Sequence, residues 1–153
     1  MKKIYFITLI SISILFSNCT TGNSEDKTKA ASSGKEVKQL TTEAFKKLVF
    51  NYDVNKEWKY EGNMPAIIDF YADWCPPCRQ LSPLVEEIAG EYQGKIVVYR
   101  VNTDQEKMLT QSLGIANLPT VLYIPLKGKP QVTLGYIPKD EIVKTINAVL
   151  LTK

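Results

Sequence analysis

Phe70-Tyr71-Ala72-Asp73-Trp74-Cys75-Pro76-Pro77-Cys78-Arg79-Gln80-Leu81 is the stretch whose reading decides the fold. Ahead of it, Ala66-Ile67-Ile68-Asp69-Phe70-Tyr71 is a short, almost wholly apolar run, as expected of a strand buried on both faces. Behind it, Leu81, Leu84, Val85, Ile88 and Tyr92 recur at helical spacing and predict an amphipathic helix. If that helix begins at or just after Cys75, the sulfurs of Cys75 and Cys78 lie about one turn apart on one face, a spacing that suits a reversible disulfide. Cys75 then stands where a buried strand gives way to a helix N-terminus. Unpaired N–H groups and the positive end of the helix dipole favour a thiolate there, and the thiolate is the nucleophilic form.

The chain of 153 residues has room for one domain and a tail. Its apolar fraction of 44% is ordinary for a globular protein. The net charge is +3, and setting aside Lys2 and Lys3 leaves 17 basic against 16 acidic residues, a balance that gives no case for nucleic-acid binding. Histidine is absent from the sequence, which excludes Cys-His catalytic pairs, histidine-ligated metals and imidazole as a general base. The three cysteines are Cys19, Cys75 and Cys78. A purely structural bridge between the last two would close a very small loop and constrain little of the unfolded chain, so chemistry is the better reading.

Residues 1–18 have the form of an export signal: Lys2-Lys3, then a largely apolar run from Ile4 to Phe16 that is too short to span a bilayer. Phe16-Ser17-Asn18-Cys19 resembles a bacterial lipoprotein signal, in which the cysteine becomes the first mature residue and carries lipid. Phe16 and Asn18 depart from that pattern, where smaller residues are usual. Lipidation of Cys19 would account for the odd cysteine; the alternative is an ordinary cleaved signal. From Thr20 to Lys35 there is no bulky apolar residue, so residues 19–36 read as a flexible tether and 37–153 as the folded domain.

Within that domain, Val37 to Leu40 predicts an edge strand, and Thr41 or Thr42 caps a helix carrying Phe45, Leu48 and Val49 on one face. Asn51 to Asn63 reads as a loop with room for one turn of helix, its Trp58 and Tyr60 lying over the core. Lys95 to Val101 supplies a second apolar strand after Gly94. Asp104 is placed to cap a helix containing Met108, Leu109 and Leu113 and ended by Gly114. Pro119–Ile124 and Gln131–Tyr136 read as a hairpin, and Pro138 as the first turn of a last helix with Ile142, Val143, Ile146, Val149 and Leu150 as its buried stripe. The expected architecture is α/β: a central mixed sheet with helices on both faces.

From about Val37 to Leu151 these residues resemble the thioredoxin family. The likeness rests on Asp69 ahead of the cysteine pair, Trp74 immediately before Cys75, Pro83 inside the following helix, Ile115-Ala116-Asn117-Leu118-Pro119-Thr120 further on, and Gly135 in the last strand. The resemblance implies the thioredoxin fold and a redox-active Cys75–Cys78 dithiol/disulfide with no further cofactor. Cys75 would attack a substrate disulfide, and Cys78 would then resolve the mixed disulfide. Asp69, its proton held to unusually high pH by burial, would accept the proton of Cys78 through water. Pro119 would follow a cis bond beside the disulfide, and Trp74, Pro76, Pro77 and Leu118 would border the substrate. Arg100 falls where the family often has a lysine, in a position to tune Asp69. Tyr71 stands where many members have tryptophan.

Pro76-Pro77 departs from the Gly-Pro usual in cytosolic members; it stiffens the turn and removes two N–H donors from around Cys75. The implied activity is reduction or reshuffling of disulfides in cell-envelope proteins by an exported, lipid-anchored oxidoreductase, fed by a membrane electron-transfer partner. Oxidation of exported chains is the alternative direction, although the chain lacks room for the helical insertion of the dedicated oxidases. A copper chaperone using the two thiolates is the rival from another class, poorly furnished without histidine.

Overall fold

The computed structural model describes residues 37–152; the segments expected to be an export signal and a tether, and Cys19 between them, lie outside the described residues. Strands β1 (Val37–Gln39), β2 (Ala66–Tyr71), β3 (Val97–Asn102), β4 (Thr120–Ile124) and β5 (Gln131–Leu134) form one sheet in the order β1-β3-β2-β4-β5. β1 and β2 both pair in parallel with β3, whereas β4 runs antiparallel to β2 and to β5. The sheet is mixed, as expected, and β2 is its centre. Helices α1 (Thr42–Leu48), α2 (Pro76–Glu91), α3 (Lys107–Ser112) and α4 (Lys139–Thr145) cover it, and α4 passes into a π-helical turn over Ile146–Leu150.

Side chains alternate between the faces of the sheet, so each strand feeds two cores. On one face Ile67, Val98, Val121 and Tyr123 meet Leu81, Val85 and Ile88 of α2 and Ile142, Ile146 and Leu150. On the other, Ala66, Ile68, Phe70, Val101, Leu122 and Ile124 meet Phe45, Val49 and Leu109. Each buried valine, leucine, isoleucine or phenylalanine among them contributes about 1.5–3 kcal/mol on full burial. The nearly continuous apolar run of β2 is thus the signature of a strand that has no solvent face.

Several local expectations are corrected. Leu48 is about half exposed, because Phe45 and Val49, four apart, take the buried line of α1 and leave Leu48 at its margin. Asn51–Asn63 contains no helix, though Trp58 and Tyr60 do pack on the second core. Asp104 does not cap α3, whose N-cap is Glu106 and which receives no side-chain cap bond. Met108 is exposed, and of the expected stripe in the last helix Val143 and Val149 are only partly buried. Pro138, expected in the first turn of α4, is its N-cap. β5 stops at Leu134, so Gly135 lies just beyond it at φ 79°, a left-handed backbone that glycine adopts without penalty.

The carboxylate of Glu106 is turned to α1. Its Oε2 accepts from the backbone N–H of Thr42 at 2.8 Å and from the Thr42 hydroxyl at 2.6 Å. Thr41 meanwhile takes the N–H of Ala44 at 3.2 Å, so two otherwise orphaned donors of α1 are satisfied, one of them from a distant part of the chain. Glu106→Ala should therefore cost about 1–3 kcal/mol in urea unfolding. A double-mutant cycle with Thr42→Val should show the two losses to be strongly non-additive, and additive losses would refute the tertiary cap.

Candidate active site

At the end of β2 the chain turns through Ala72 to Trp74, and α2 begins at Pro76 with Cys75 as its N-cap. Prolines at the first two helical positions have a fixed φ suited to a helix start, and lack N–H groups that no intrahelical acceptor would have taken. The first available amide is therefore that of Cys78, and it donates to Cys75 Sγ at 3.3 Å. Cys75 and Cys78 are joined as a disulfide with their Cα atoms 5.3 Å apart. On reduction the same N–H faces a Cys75 thiolate, supported by the positive end of a sixteen-residue helix. The helix runs on through Pro83.

Both cysteines have little exposed surface, Cys75 3% and Cys78 1%. They differ in what they face. An open cavity of about 470 Å³ is lined by Trp74, Cys75, Pro76, Pro77, Asn117 and Leu118 among others, and Cys78 is not part of its wall. Approach to the disulfide from this cavity meets Cys75 and not Cys78. The Leu118–Pro119 bond is cis, as expected; Leu118 packs against the cysteine pair, while Pro119 is buried behind the wall and its carbonyl accepts from the Gly135 N–H at 2.7 Å.

Trp74 is two-thirds exposed yet held, since its indole N–H donates to Asp104 Oδ2 at 2.9 Å. Asp104 is fixed in turn by a bond from its own N–H to Asn102 Oδ1 at 3.0 Å, and Asn102 Nδ2 reaches Asp73 Oδ2 at 3.3 Å. Asp104, expected at a helix start, thus serves the rim of the cavity. No sequence spacing signals that pairing, because its two ends come from separate connections and meet only through the β2–β3 register.

Asp69 is fully buried in β2, the strand that leads into the cysteine pair. Parallel pairing sets it beside Arg100 of β3, whose Nε donates to Asp69 Oδ2 at 3.0 Å. Arg100 also donates from Nη2 to Ser82 Oγ at 2.7 Å, and its guanidinium carbon lies 3.9 Å from the centre of the Tyr71 ring. The other carboxylate oxygen, Oδ1, is buried without a hydrogen-bond partner. Loss of water around the carboxylate raises the Asp69 pKa to about 6, against the lowering effect of Arg100. The structure therefore brings together Cys75, Cys78, Trp74, Pro76, Pro77 and Leu118 at the cavity, with Asp69 and Arg100 paired in the sheet below. Sequence reasoning missed Ser82, although its position one helical turn after Cys78 places both on one face of α2.

A five-stranded mixed sheet with a cysteine pair capping the helix after its central strand, beside a cis proline, defines a class of dithiol/disulfide exchange proteins. The thioredoxin family model matches residues 36–148. Thioredoxin from Borreliella burgdorferi is 46% identical over 101 residues, covering 66% of this chain and 86% of the relative. Thioredoxin from Pyropia yezoensis is 35% identical, covering 72% and 94%. Among solved structures, chloroplastic thioredoxin z superposes with a TM-score of 0.60 at 29% identity, covering 74% of this chain and 96% of the other. The chain belongs to the thioredoxin family, and it is a thiol-disulfide oxidoreductase working through the Cys75–Cys78 couple. Members of the family act on protein disulfides with this couple and no added cofactor. Among the described residues no cluster of three or more acidic, cysteine or histidine side chains is arranged to hold a metal ion.

Asp69 makes stability depend on pH. Its folded pKa, about 6, lies above the ordinary value of 3.8, so below 3.8 its contribution is fully present, and it is lost as pH rises through 6. The loss amounts to about 3 kcal/mol, since each tenfold difference in proton affinity between the folded and unfolded chain is worth about 1.4 kcal/mol. Asp69→Asn should abolish this decline between pH 4 and pH 7 in denaturant titrations; an unchanged slope in the variant would show that another group titrates.

Proposed function

We propose that the protein reduces or reshuffles disulfides in cell-envelope proteins, tethered to a membrane by lipid on Cys19. The observation that carries the chemistry is the asymmetry of the disulfide: the Cys75 sulfur borders an apolar cavity and receives a helix N–H, while Cys78 is enclosed behind it. In the reduced form Cys75 thiolate attacks a substrate disulfide and releases one substrate thiolate. Cys78 then attacks the Cys75 sulfur of the mixed disulfide, the Cys75–Cys78 bond forms, and the second substrate sulfur leaves. Two electrons pass to the substrate, and Asp69 takes the proton of the Cys78 thiol. A pKa near 6 leaves Asp69 ionised at neutral pH yet basic enough to accept.

Trp74, Pro76, Pro77 and Leu118 form the surface on which an extended substrate segment lies. Pro119 shapes it from behind by turning the chain. Arg100 limits how far burial raises the Asp69 pKa. Envelope clients and the lipid anchor are supported by the Lys2-Lys3 and Ile4–Phe16 signal, by Cys19 at its end, and by the apolar-poor segment from Thr20 to Lys35, all ahead of the family match. In this reading residues 1–18 are removed, 19–36 are the tether and 37–153 the working domain. Sustained reduction outside the cytosol requires electrons from a membrane electron-transfer protein.

Cys78→Ser should accumulate mixed disulfides through Cys75, and their recovery from envelope fractions identifies the clients; recovery of cytosolic proteins alone would refute the assignment of compartment. Asp69→Asn should slow the resolving step at pH 7 by about a hundredfold, within the range of general acid–base contributions. A full-rate variant would remove Asp69 from the mechanism. A glutathione-equilibrated potential near about −120 mV, the strong-oxidant end of the range, would reverse the direction of the reaction.

A further inference from the structure

We propose that Ser82 and Tyr71 are positioning residues that hold the Arg100 guanidinium against one oxygen of Asp69 only, keeping Oδ1 open to receive the Cys78 proton. The inference rests on the role given to Asp69 above. An arginine has five N–H donors in a planar fork and ordinarily grips a carboxylate through two parallel bonds. Here it does not: a single Nε–H reaches Asp69 Oδ2, and the Nη2 group is drawn away to Ser82 Oγ. The ring of Tyr71, two residues after Asp69 on the same face of β2, covers the guanidinium at 3.9 Å and restricts its rotation. The consequence is visible on Asp69, where Oδ2 accepts from Arg100 and Oδ1 is buried and unpartnered.

Ser82 adds a connection to the chemistry because it lies on the helix that carries both cysteines, one turn beyond Cys78. The clamp thereby fixes the base relative to the thiol whose proton it takes. In the resolving step the Cys78 S–H bond breaks, its proton passes through water to Asp69 Oδ1, and the electron pair left on Cys78 forms the bond to Cys75 as the substrate sulfur departs. Arg100 is the charged group that the described residues set against Asp69. β4 places the apolar Val121 beside it, and α2 brings the uncharged Ser82 to the far side of the guanidinium. The oxidised cysteines do not titrate.

The Asp69 carboxyl carbon, followed by NMR in the oxidised full-length protein across pH, reports the clamp without turnover. Arg100→Gln should move the titration midpoint upward, whereas Ser82→Ala should move it downward by at least about half a pH unit, roughly threefold in proton affinity, as the freed Nη2 group closes on Oδ1; an upward shift in Ser82→Ala would overturn the proposal. Ser82→Thr should restore the wild-type midpoint by restoring the hydroxyl, and Ser82→Ala should add nothing in the Arg100→Gln background. Tyr71→Leu, an independent variant, should shift the midpoint downward too. A wild-type midpoint in both Ser82→Ala and Tyr71→Leu, even with lowered thermal stability, would reduce these residues to packing and overturn the proposal. So would a Ser82→Ala shift that survives without the arginine. Failure of the catalytic reading is seen separately, as full-rate resolution by Asp69→Asn with the titration shifts intact.

Discussion

A carboxylate buried in the central strand is the constraint on which the site depends. Taking an ionised side chain out of water is costly unless something compensates, and Asp69 is compensated on one oxygen only. The compensation exists because β2 and β3 are parallel and in a register that makes Arg100 the neighbour of Asp69. A slip of one residue would send Arg100 to the opposite face and leave the acid alone in an apolar core. The same register carries Tyr71 alongside Asn102, from which the bonds holding Asp104 and Trp74 extend. The rim of the cavity and the buried base are thus two results of one strand pairing.

The helix that follows β2 imposes the second condition. Cys75 must be its N-cap for the Cys78 amide to face the sulfur, and two prolines ensure that this amide is the first one present. The turn leaves little freedom for other N–H groups to gather round Cys75. Burial of Asp69 and a sparse set of donors at Cys75 are separate levers on the two protons the reaction moves.

Much of this was legible in the sequence, for physical reasons that also explain the gaps. β2 could be read because a strand without a solvent face must be apolar throughout, and α2 because a one-sided helix must repeat its apolar residues. The cysteine pair followed from its spacing at a helix start, and Asp69 and Arg100 were marked out by the family resemblance alone. Asp104 was misplaced because an aspartate shortly before an apolar run looks like a cap from local pattern alone. Its carboxylate is instead taken by an indole thirty residues away in sequence, while that of Glu106 is taken by Thr42. Leu48 was misread because in a helix of only seven residues one buried line of side chains is enough. Ser82 gave no signal by residue type; only its phase relative to Cys78 distinguished it.

The order of the strands also decides where the molecule can be held. β1 runs parallel to β3 and so to β2, which means that Val37 lies at the sheet end from which β2 departs and the disulfide at the end where β2 arrives. Whatever precedes Val37 joins the domain at the pole remote from the sulfurs. The tether proposed above, if attached there, would leave the reactive pole facing away from its anchor, so that reach would be set by the tether's length and not by any rearrangement of the fold.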